Sequence, residues 1–534
     1  MAKPEVLIVG IDGATFELID PWIKQGYLAN IGGLMQQGVR ANLASTLTPN
    51  TCPAWKSFST GRNPGRLGVF NWRNKVYESY DVRLAEPGLI PGRDLWDIIG
   101  SSGRKVAVVG VPMTYPPQPV NGVLLSGMLT PPNAVFAWPP ELVREIEDEF
   151  GEYRLDPAVV SEVSEDELFE DQNAVTINRF QVLRHVLQRD VYDFVMVVFT
   201  AADRLQHLYW PPPGTLDHAV LKTYLQIDTY IGQLRGFIDE DTTVLLMSDH
   251  GFTKLDRFMH VNQVLSDMGL LKVANQGGNL LQRVGVTRQS LGRLARRVGL
   301  NDLRASMPEA AKRAVPPGRF GLDMDHTQAF GWSSGEIFIN LRGREPQGIV
   351  NQGLDYSSLR DRIIERFENL TDNGRRVRMR VYKREEIYSG DYLLEAPDLV
   401  IDMKEPGYGM NGSVEGSDIR EILPGTVFSD NRGMGGRHDT TGILVAGGPE
   451  IRRGEEIDNA RIIDIAPTVL HAMGLPVPDD IDGSVLPVFR EDSEAARRPV
   501  RRVAAEETEA EPVMLSESER ERLQTVLKGF GYLG

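Results

Sequence analysis

A single cysteine, Cys52, leaves no partner for an intrachain disulfide, and this scarcity fits a chain kept in a reducing compartment. Positive charge is also short: 58 lysines and arginines stand against 74 aspartates and glutamates, a formal net charge of −16. Such a surface repels phosphate backbones on average, which argues against a general nucleic-acid binder and leaves room only for a local basic pocket. No stretch reaches the roughly 18 uninterrupted apolar residues of a membrane span. The opening "MAKPEVLIVGIDG" carries one basic residue and meets an aspartate after a short apolar run, so it reads as a buried strand and not as a signal peptide. The expected setting is soluble and cytoplasmic, with no membrane partner. What the chain does have is ordinary globular composition, 41% hydrophobic and 25% charged. Its length allows one large core domain with insertions, or two domains.

Short runs rich in Val and Ile, apolar on both faces, recur between helical patterns: "VLIVGID" (6–12), "VAVVGV" (106–111), "DFVMVVFT" (193–200), "TVLLMSDHG" (243–251) and "GILVAGG" (442–448). Strands of this kind lie beneath helices on both sides, so the expected fold class is α/β with a mostly parallel central sheet. Three of the runs end in polar clusters: Asp12, then Thr200 to Asp203, then Asp249 and His250. Ligands bind at the carboxyl ends of strands in open α/β sheets, which makes these distant clusters prospective neighbours. Helical spacing of apolar residues covers 215–238, and "IIDIAPTVLHAMGLPVP" predicts a helix stopped by Gly474 and Pro476.

Two regions break the rhythm, residues 112–180, proline-rich and then acidic, and residues 265–325, which carry a basic helical stretch. Both are expected as insertions over the catalytic edge of a domain spanning 1–488. The basic stretch is either a solvated helical face or a lid whose arginines, Arg293, Arg296 and Arg297, meet an anionic substrate. Residues 489–515, with blocks of each charge and no apolar period, are expected to form a linker, and 516–534 a C-terminal helix that docks on the body.

The chemistry-bearing residues sit where strands end. Asp203 and His207 in "TAADRLQH" are four apart, so one helical turn aims both at a single point. Asp249 and His250 are adjacent in "SDHG", Asp12 follows the first strand, and His438 precedes a later apolar run in "GGRHDTTGILVAGG". Carboxylate oxygen with imidazole nitrogen is a donor set that zinc, manganese or iron accepts, and six such residues suffice for two sites. Each piece alone has a plainer explanation: an aspartate after a strand often caps a helix, and a lone histidine is often structural.

The order along the chain lifts the set above its parts: Asp12, a hydroxyl loop "TPNTCPAW", Asp203-x-x-x-His207, Asp249-His250-Gly251, then His438. This order resembles the alkaline phosphatase superfamily, in its type I phosphodiesterase and nucleotide pyrophosphatase branch, from "IVGIDGA" to "IIDIAPTVLHAMGLPVPDDIDGSVL". The resemblance implies an alkaline phosphatase-like fold and two divalent metal ions, zinc foremost, with manganese or iron compatible. It implies that Asp203, His207 and His438 hold one ion, that Asp12, Asp249 and His250 hold the other, and that Thr51 coordinates the second as nucleophile. Sulfatases of the superfamily use a Cys-x-Pro-x-Arg pattern. Pro53 puts Thr51 and not Cys52 in that register, and Trp55 stands at the arginine position. The implied substrate is a small phosphorylated molecule, cleaved at a phosphodiester, phosphoanhydride or related bond through a phosphothreonine. Asn71 in "GVFNW" and Lys56 are the candidate substrate-binding groups. A phosphomonoesterase is the alternative, ahead of a phosphoglycerate mutase-like enzyme or a binding protein with a degenerate site. Oligomeric state has no signature in the chain.

Overall fold

A computed structural model describes residues 4–131, 133–155, 164–212, 214–215, 217–273, 321–412, 423–431, 433–506, 515–516 and 518–521. The basic stretch with Arg293, Arg296 and Arg297 lies outside them.

The central sheet has nine strands. In chain order they are β1 Val6–Ile11, β2 Val39–Ala44, β3 Val106–Val111, β4 Gly122–Ser126, β5 Ala137–Trp138, β6 Phe194–Phe199, β7 Thr243–Met247, β8 Thr441–Gly447 and β9 Glu455–Arg461. Their spatial order is β9-β2-β8-β7-β1-β6-β3-β4-β5. β8 runs against both neighbours and β5 against β4, while the remaining pairings are parallel. The sheet is thus α/β and mostly parallel. Its five predicted strands are all present, and β1, β3 and β6 are buried along their whole length. One apolar core lies on each face, the first built on Leu7, Val9, Val195 and Val197, the second on Val6, Ile8, Met196 and Val198. Alternation along a pleated strand sends successive side chains to opposite cores, so a two-faced strand must be apolar throughout.

Residues 112–180 differ from the expected insertion. They supply β4 and β5 to the sheet itself. The helix Glu165–Arg189, whose first half falls in the same region, packs on the first core through Leu168, Phe180, Val182, Leu183 and Val186. The predicted helix over 215–238 is Ala219–Leu234 followed by a 3-10 turn, Arg235–Phe237.

Between β7 and β8 the chain builds a second layer. A four-stranded antiparallel sheet of Ala329–Gly331, Glu336–Ile339, Met379–Lys383 and Leu399–Met403 packs with the helix Leu354–Glu368 around its own core. The strand Gly251–His260 leaves the end of β7 and pairs with Gly407–Asn411, Phe428–Asp430 and Gly436–Asp439.

The tail also departs from expectation. Over residues 489–506 it is docked: Phe489 and Ala495 join the second core, and Ser493 caps the short helix Glu494–Arg497. Arg498 donates to the carbonyls of His471 and Ala472, Arg501 to Gly474, and Arg502 to Pro478, Ile481 and Gly483. Arginine–carbonyl bonds need no apolar period, which is why composition suggested a linker. Of the expected C-terminal helix, residues 516 and 518–521 are described and Arg520 pairs with Glu86 at 2.6 Å, while Leu515, the last residue of the expected linker, is buried. The rest of that helix lies outside the described residues. Among the described residues, no helix is long and apolar enough to cross a membrane.

Candidate active site

Strand register brings the polar clusters together. β1 lies between β6 and β7, with Ile11 opposite Phe199 and Gly10 opposite Met247. Two residues past the paired Gly10 and Met247 stand Asp12 and Asp249, at the same edge. Asp203 stands on the helix Ala201–Leu208, which opens directly after β6, and His207 sits one turn further along it. His438 arrives on the strand Gly436–Asp439, paired opposite Phe252. Thr51 is the first residue of the fully buried helix Thr51–Thr60, whose N-cap Asn50 accepts a hydrogen bond from Cys52 N. Gly13 turns the chain after β1 at φ 68°, and a Cβ there would press on Phe252 at 3.0 Å and on Asp203 at 3.2 Å. Only glycine meets both demands without strain.

Two donor sets result. In the first, Asp203 Oδ1 lies 3.0 Å from His438 Nε2 and 3.5 Å from His207 Nε2, and the two Nε2 atoms are 2.8 Å apart. In the second, His250 Nε2 lies 3.6 Å from Asp12 Oδ1, 3.3 Å from Asp249 Oδ2 and 3.4 Å from Thr51 Oγ1. The sets adjoin, since His250 Nε2 is 4.0 Å from Asp203 Oδ1 and its ring stacks on that of His438 with centroids 3.7 Å apart. The structure therefore brings together all seven residues expected at the metal sites.

The residues fit divalent cations. Ligand atoms about 2.05 Å from a tetrahedral ion stand about 3.3 Å from one another, and the six separations within the sets run from 2.8 to 3.6 Å. Asp12 Oδ1 and Asp249 Oδ2 are buried without a hydrogen-bond partner among the described residues, as anionic oxygens reserved for a cation would be. The rings are set to offer Nε2: His250 Nδ1 donates to Gly251 O at 3.1 Å and His438 Nδ1 to Pro49 O at 3.0 Å. Burial holds His250 neutral far below its ordinary range, helped by His438, and lowers His207 to about 4 against the pull of Asp203. Neutral imidazoles keep the lone pair a metal needs. Among the carboxylates, burial and then the charges of Asp249 and Asp203 raise Asp12, and burial with Asp203 pushes Asp249 up to about 8. Burial opposes ionisation of Asp203 too, but His207 and His438 overcome it and hold that carboxyl low.

Beside the donor sets lies a cavity of about 180 Å³, lined by Thr48, Asn50, Asn71, His207 and His438, by the apolar Leu255, Phe258, Ile401, Met403 and Met410, and by the charged Asp402 and Arg437. Asn71 is thus on the wall of this cavity. Lys56 is not: its ammonium bonds Asp94 Oδ1 at 2.6 Å and lines a separate cavity on the other side of the helix. Five residues beyond Thr51 is about 140° around a helix, so the two side chains diverge. Three contributors were missed. Trp55 Nε1 donates to Asp12 Oδ2 at 3.1 Å, so the tryptophan at the sulfatase arginine position orients a donor. Asn50, an asparagine just before a helix, is the residue type that signals an N-cap. Glu336 accepts from Asn71 Nδ2 at 3.1 Å, and its signal is one charge at the head of an apolar run, "EIFI".

The model of the type I phosphodiesterase / nucleotide pyrophosphatase family matches residues 6–439, and the chain belongs to that family of phosphoryl-bond hydrolases. No curated protein matches its sequence. Similar solved structures include murine ectonucleotide pyrophosphatase / phosphodiesterase 5, 13% identical at a TM-score of 0.46, covering 89% of this chain and 95% of that one. The human counterpart is 12% identical at 0.46, covering 91% and 96%. An inactive variant of the murine protein in complex with AMP is 12% identical at 0.47, covering 89% and 96%.

Proposed function

We propose that this chain hydrolyses phosphodiester, phosphoanhydride or related phosphoryl bonds of a small substrate through a phosphothreonine on Thr51, with two divalent cations. The observation that carries the reading is Thr51 Oγ1, 3.4 Å from His250 Nε2, within the second donor set. Asp203, His207 and His438 would hold one cation; Asp12, Asp249, His250 and Thr51 would hold the other. The mixed nitrogen–oxygen donors favour zinc, with manganese or iron as alternatives. When bound, such ions acidify a coordinated hydroxyl or water and neutralise charge on phosphoryl oxygens.

The chain's own residues supply placement. Thr51 Oγ1 forms the bond to phosphorus as the ester oxygen departs, its proton leaving to solvent and the departing alkoxide taking one up. Asn71, on the cavity wall, donates to a non-bridging oxygen. The N-terminal end of the helix Thr51–Thr60 favours the same negative charge. In the second step water bonds to phosphorus, the Thr51 Oγ1–P bond breaks, and the hydroxyl is restored. A single buried cysteine suits work in a reducing, cytoplasmic setting.

The test is nitrophenol release from bis-nitrophenyl phosphate and from the mono-ester, after metal removal and restoration with zinc or manganese. Metal-dependent diester turnover, lost by at least about 1,000-fold in Thr51→Ala, is expected. Turnover of the mono-ester alone would move the assignment to a phosphatase, and diester turnover unaffected by Thr51→Ala would refute the nucleophile.

A further inference from the structure

The second layer sends the side chain of Glu336 into the catalytic layer. Glu336, at the start of the strand Glu336–Ile339, is 1% exposed, and its Oε1 accepts from Asn71 Nδ2 at 3.1 Å and from Thr48 Oγ1 at 3.3 Å. Both partners belong to the reaction edge. Thr48 sits in the loop that delivers Thr51, and Thr46 Oγ1 donates to Thr48 O at 3.1 Å within that loop. Asn71 Oδ1 in turn accepts from Asn50 Nδ2 at 3.4 Å, and Asn50 Oδ1 caps the nucleophile helix through Cys52 N. A continuous set of hydrogen bonds therefore runs from Glu336 through Asn71 and Asn50 to the first turn of the helix that begins with Thr51. Asn71 Oδ1 also accepts from Trp72 N at 2.7 Å, which fixes the amide's oxygen end and leaves its nitrogen end to Glu336.

We propose that Glu336 is a positioning residue of the hydrolysis: one carboxyl oxygen holds the Asn71 amide and the Thr48 loop in the placement that substrate and nucleophile require. Resting on the function proposed above, this adds a part of the machinery that comes from the second layer. A buried amide held by a charged or polar acceptor has few alternative rotamers, and a donor locked in place stabilises developing charge better than one that must reorganise. Burial lifts the Glu336 carboxyl to about 7, the hydrogen bonds from Asn71 and Thr48 opposing the rise. Near neutral pH it therefore shares its time between acid and anion, and glutamine reproduces the neutral form with the same accepting oxygen. The titratable neighbour among the described residues is the Tyr388 phenol, raised by burial and by Glu336 itself, which donates to Leu47 O in the same loop.

The experiment compares wild type, Glu336→Gln, Glu336→Ala, Asn71→Ala and Glu336→Ala/Asn71→Ala on metal-restored full-length protein. It reads kcat/KM for bis-nitrophenyl phosphate and backbone hydrogen exchange over residues 46–52 and 70–74. The expected result is a fall of about 10- to 100-fold in Glu336→Ala, recovered to within about threefold in Glu336→Gln. In the Asn71→Ala background, removing Glu336 should cost clearly less than in wild type, because the Asn71 contact is already gone and only the Thr48 contact remains to be lost. Exchange should rise at both segments in Glu336→Ala and stay at the wild-type level in Glu336→Gln. Equal loss in the alanine and glutamine variants, or full additivity with Asn71→Ala, would overturn the positioning role. If wild type turns over no diester, the functional reading fails separately, and exchange alone decides whether Glu336 orders the loop. Unchanged exchange in Glu336→Ala overturns it in that case too.

Discussion

Asp249→Asn should make the chelated protein more stable while removing its response to zinc. In metal-free solution the Asp249 carboxyl is wholly buried, and burial together with the charge of Asp203 raises it to about 8 from an ordinary 3.8. A raised carboxyl favours folding fully below its unfolded value and loses that contribution as pH climbs toward the folded value. At pH 7 the group has to stay protonated about three units above its unfolded pKa, a cost on the order of 4 kcal/mol at about 1.4 kcal/mol per unit. Asparagine removes that cost and keeps an oxygen to accept from Gly13 N, now 3.2 Å from Asp249 Oδ1. Its amide nitrogen would face the His250 Nε2 lone pair, 3.3 Å from Asp249 Oδ2 at present. Relaxation trims the gain to roughly 2–4 kcal/mol. An unfolding entropy near 2 cal/mol/K per residue puts a chain of this length at about 1 kcal/mol per degree, so the thermal midpoint in chelator should rise by about 2–4 °C. The slope of midpoint against pH between about 4 and 8 should flatten as well. Zinc at 1,000 times its dissociation constant should stabilise wild type by about 4 kcal/mol and the variant far less. Scanning calorimetry in chelator and in zinc, at matched scan rates, makes the comparison. A lower midpoint for Asp249→Asn in chelator, or an undiminished zinc response, would refute the assignment of Asp249 as a donor held for a cation.

Two other outcomes follow from contacts that the sequence hid. Lys56→Met should leave kcat/KM within about threefold, because the ammonium serves Asp94 and not the substrate, yet lower stability by roughly 1–3 kcal/mol through the carboxylate left behind; a 100-fold kinetic loss would return Lys56 to the reaction. Arg502→Ala removes bonds to the carbonyls of Pro478, Ile481 and Gly483, so limited proteolysis after residue 489 should accelerate without loss of turnover, and an unchanged digestion pattern would contradict the docked tail.

The central strands were legible because burial on both faces leaves an unbroken apolar signature, and the five predicted runs all became sheet strands. β4 and β5 escaped notice among prolines that mark the turns around them, and β5 has only two residues to carry a pattern. The second layer was harder still. Its strands run three to five residues, too short for periodicity to separate them from loop, and some of their buried positions are polar, Glu336 and Asp402 among them. The tail's arginines looked like a solvated block because composition does not record that the partners are backbone carbonyls at the end of a distant helix.

At the site, legibility followed the physics of the parallel sheet. A carboxylate placed just beyond a buried strand has one destination, the carboxyl edge, so Asp12 and Asp249 could be placed side by side before any contact was known, and the pairing of Gly10 with Met247 carries this out. The helical step between Asp203 and His207 is equally local. Lys56 and Asn71 depended on something else, the partner each side chain meets across the fold. Lys56 finds Asp94, 38 residues on, and is withdrawn from the edge; Asn71 finds Glu336, 265 residues on, and is held there. Both are polar residues near a nucleophile, and sequence spacing alone gives them equal standing. What separates them is where the opposing carboxyl stands: behind the nucleophile helix for the lysine, and for the asparagine in a second layer that must fold against the first before the amide has an orientation. Donors set by strand ends thus exist as soon as the central sheet forms, whereas the groups that orient substrate depend on docking between layers, and a substitution at that contact should alter turnover before it alters the metal sites.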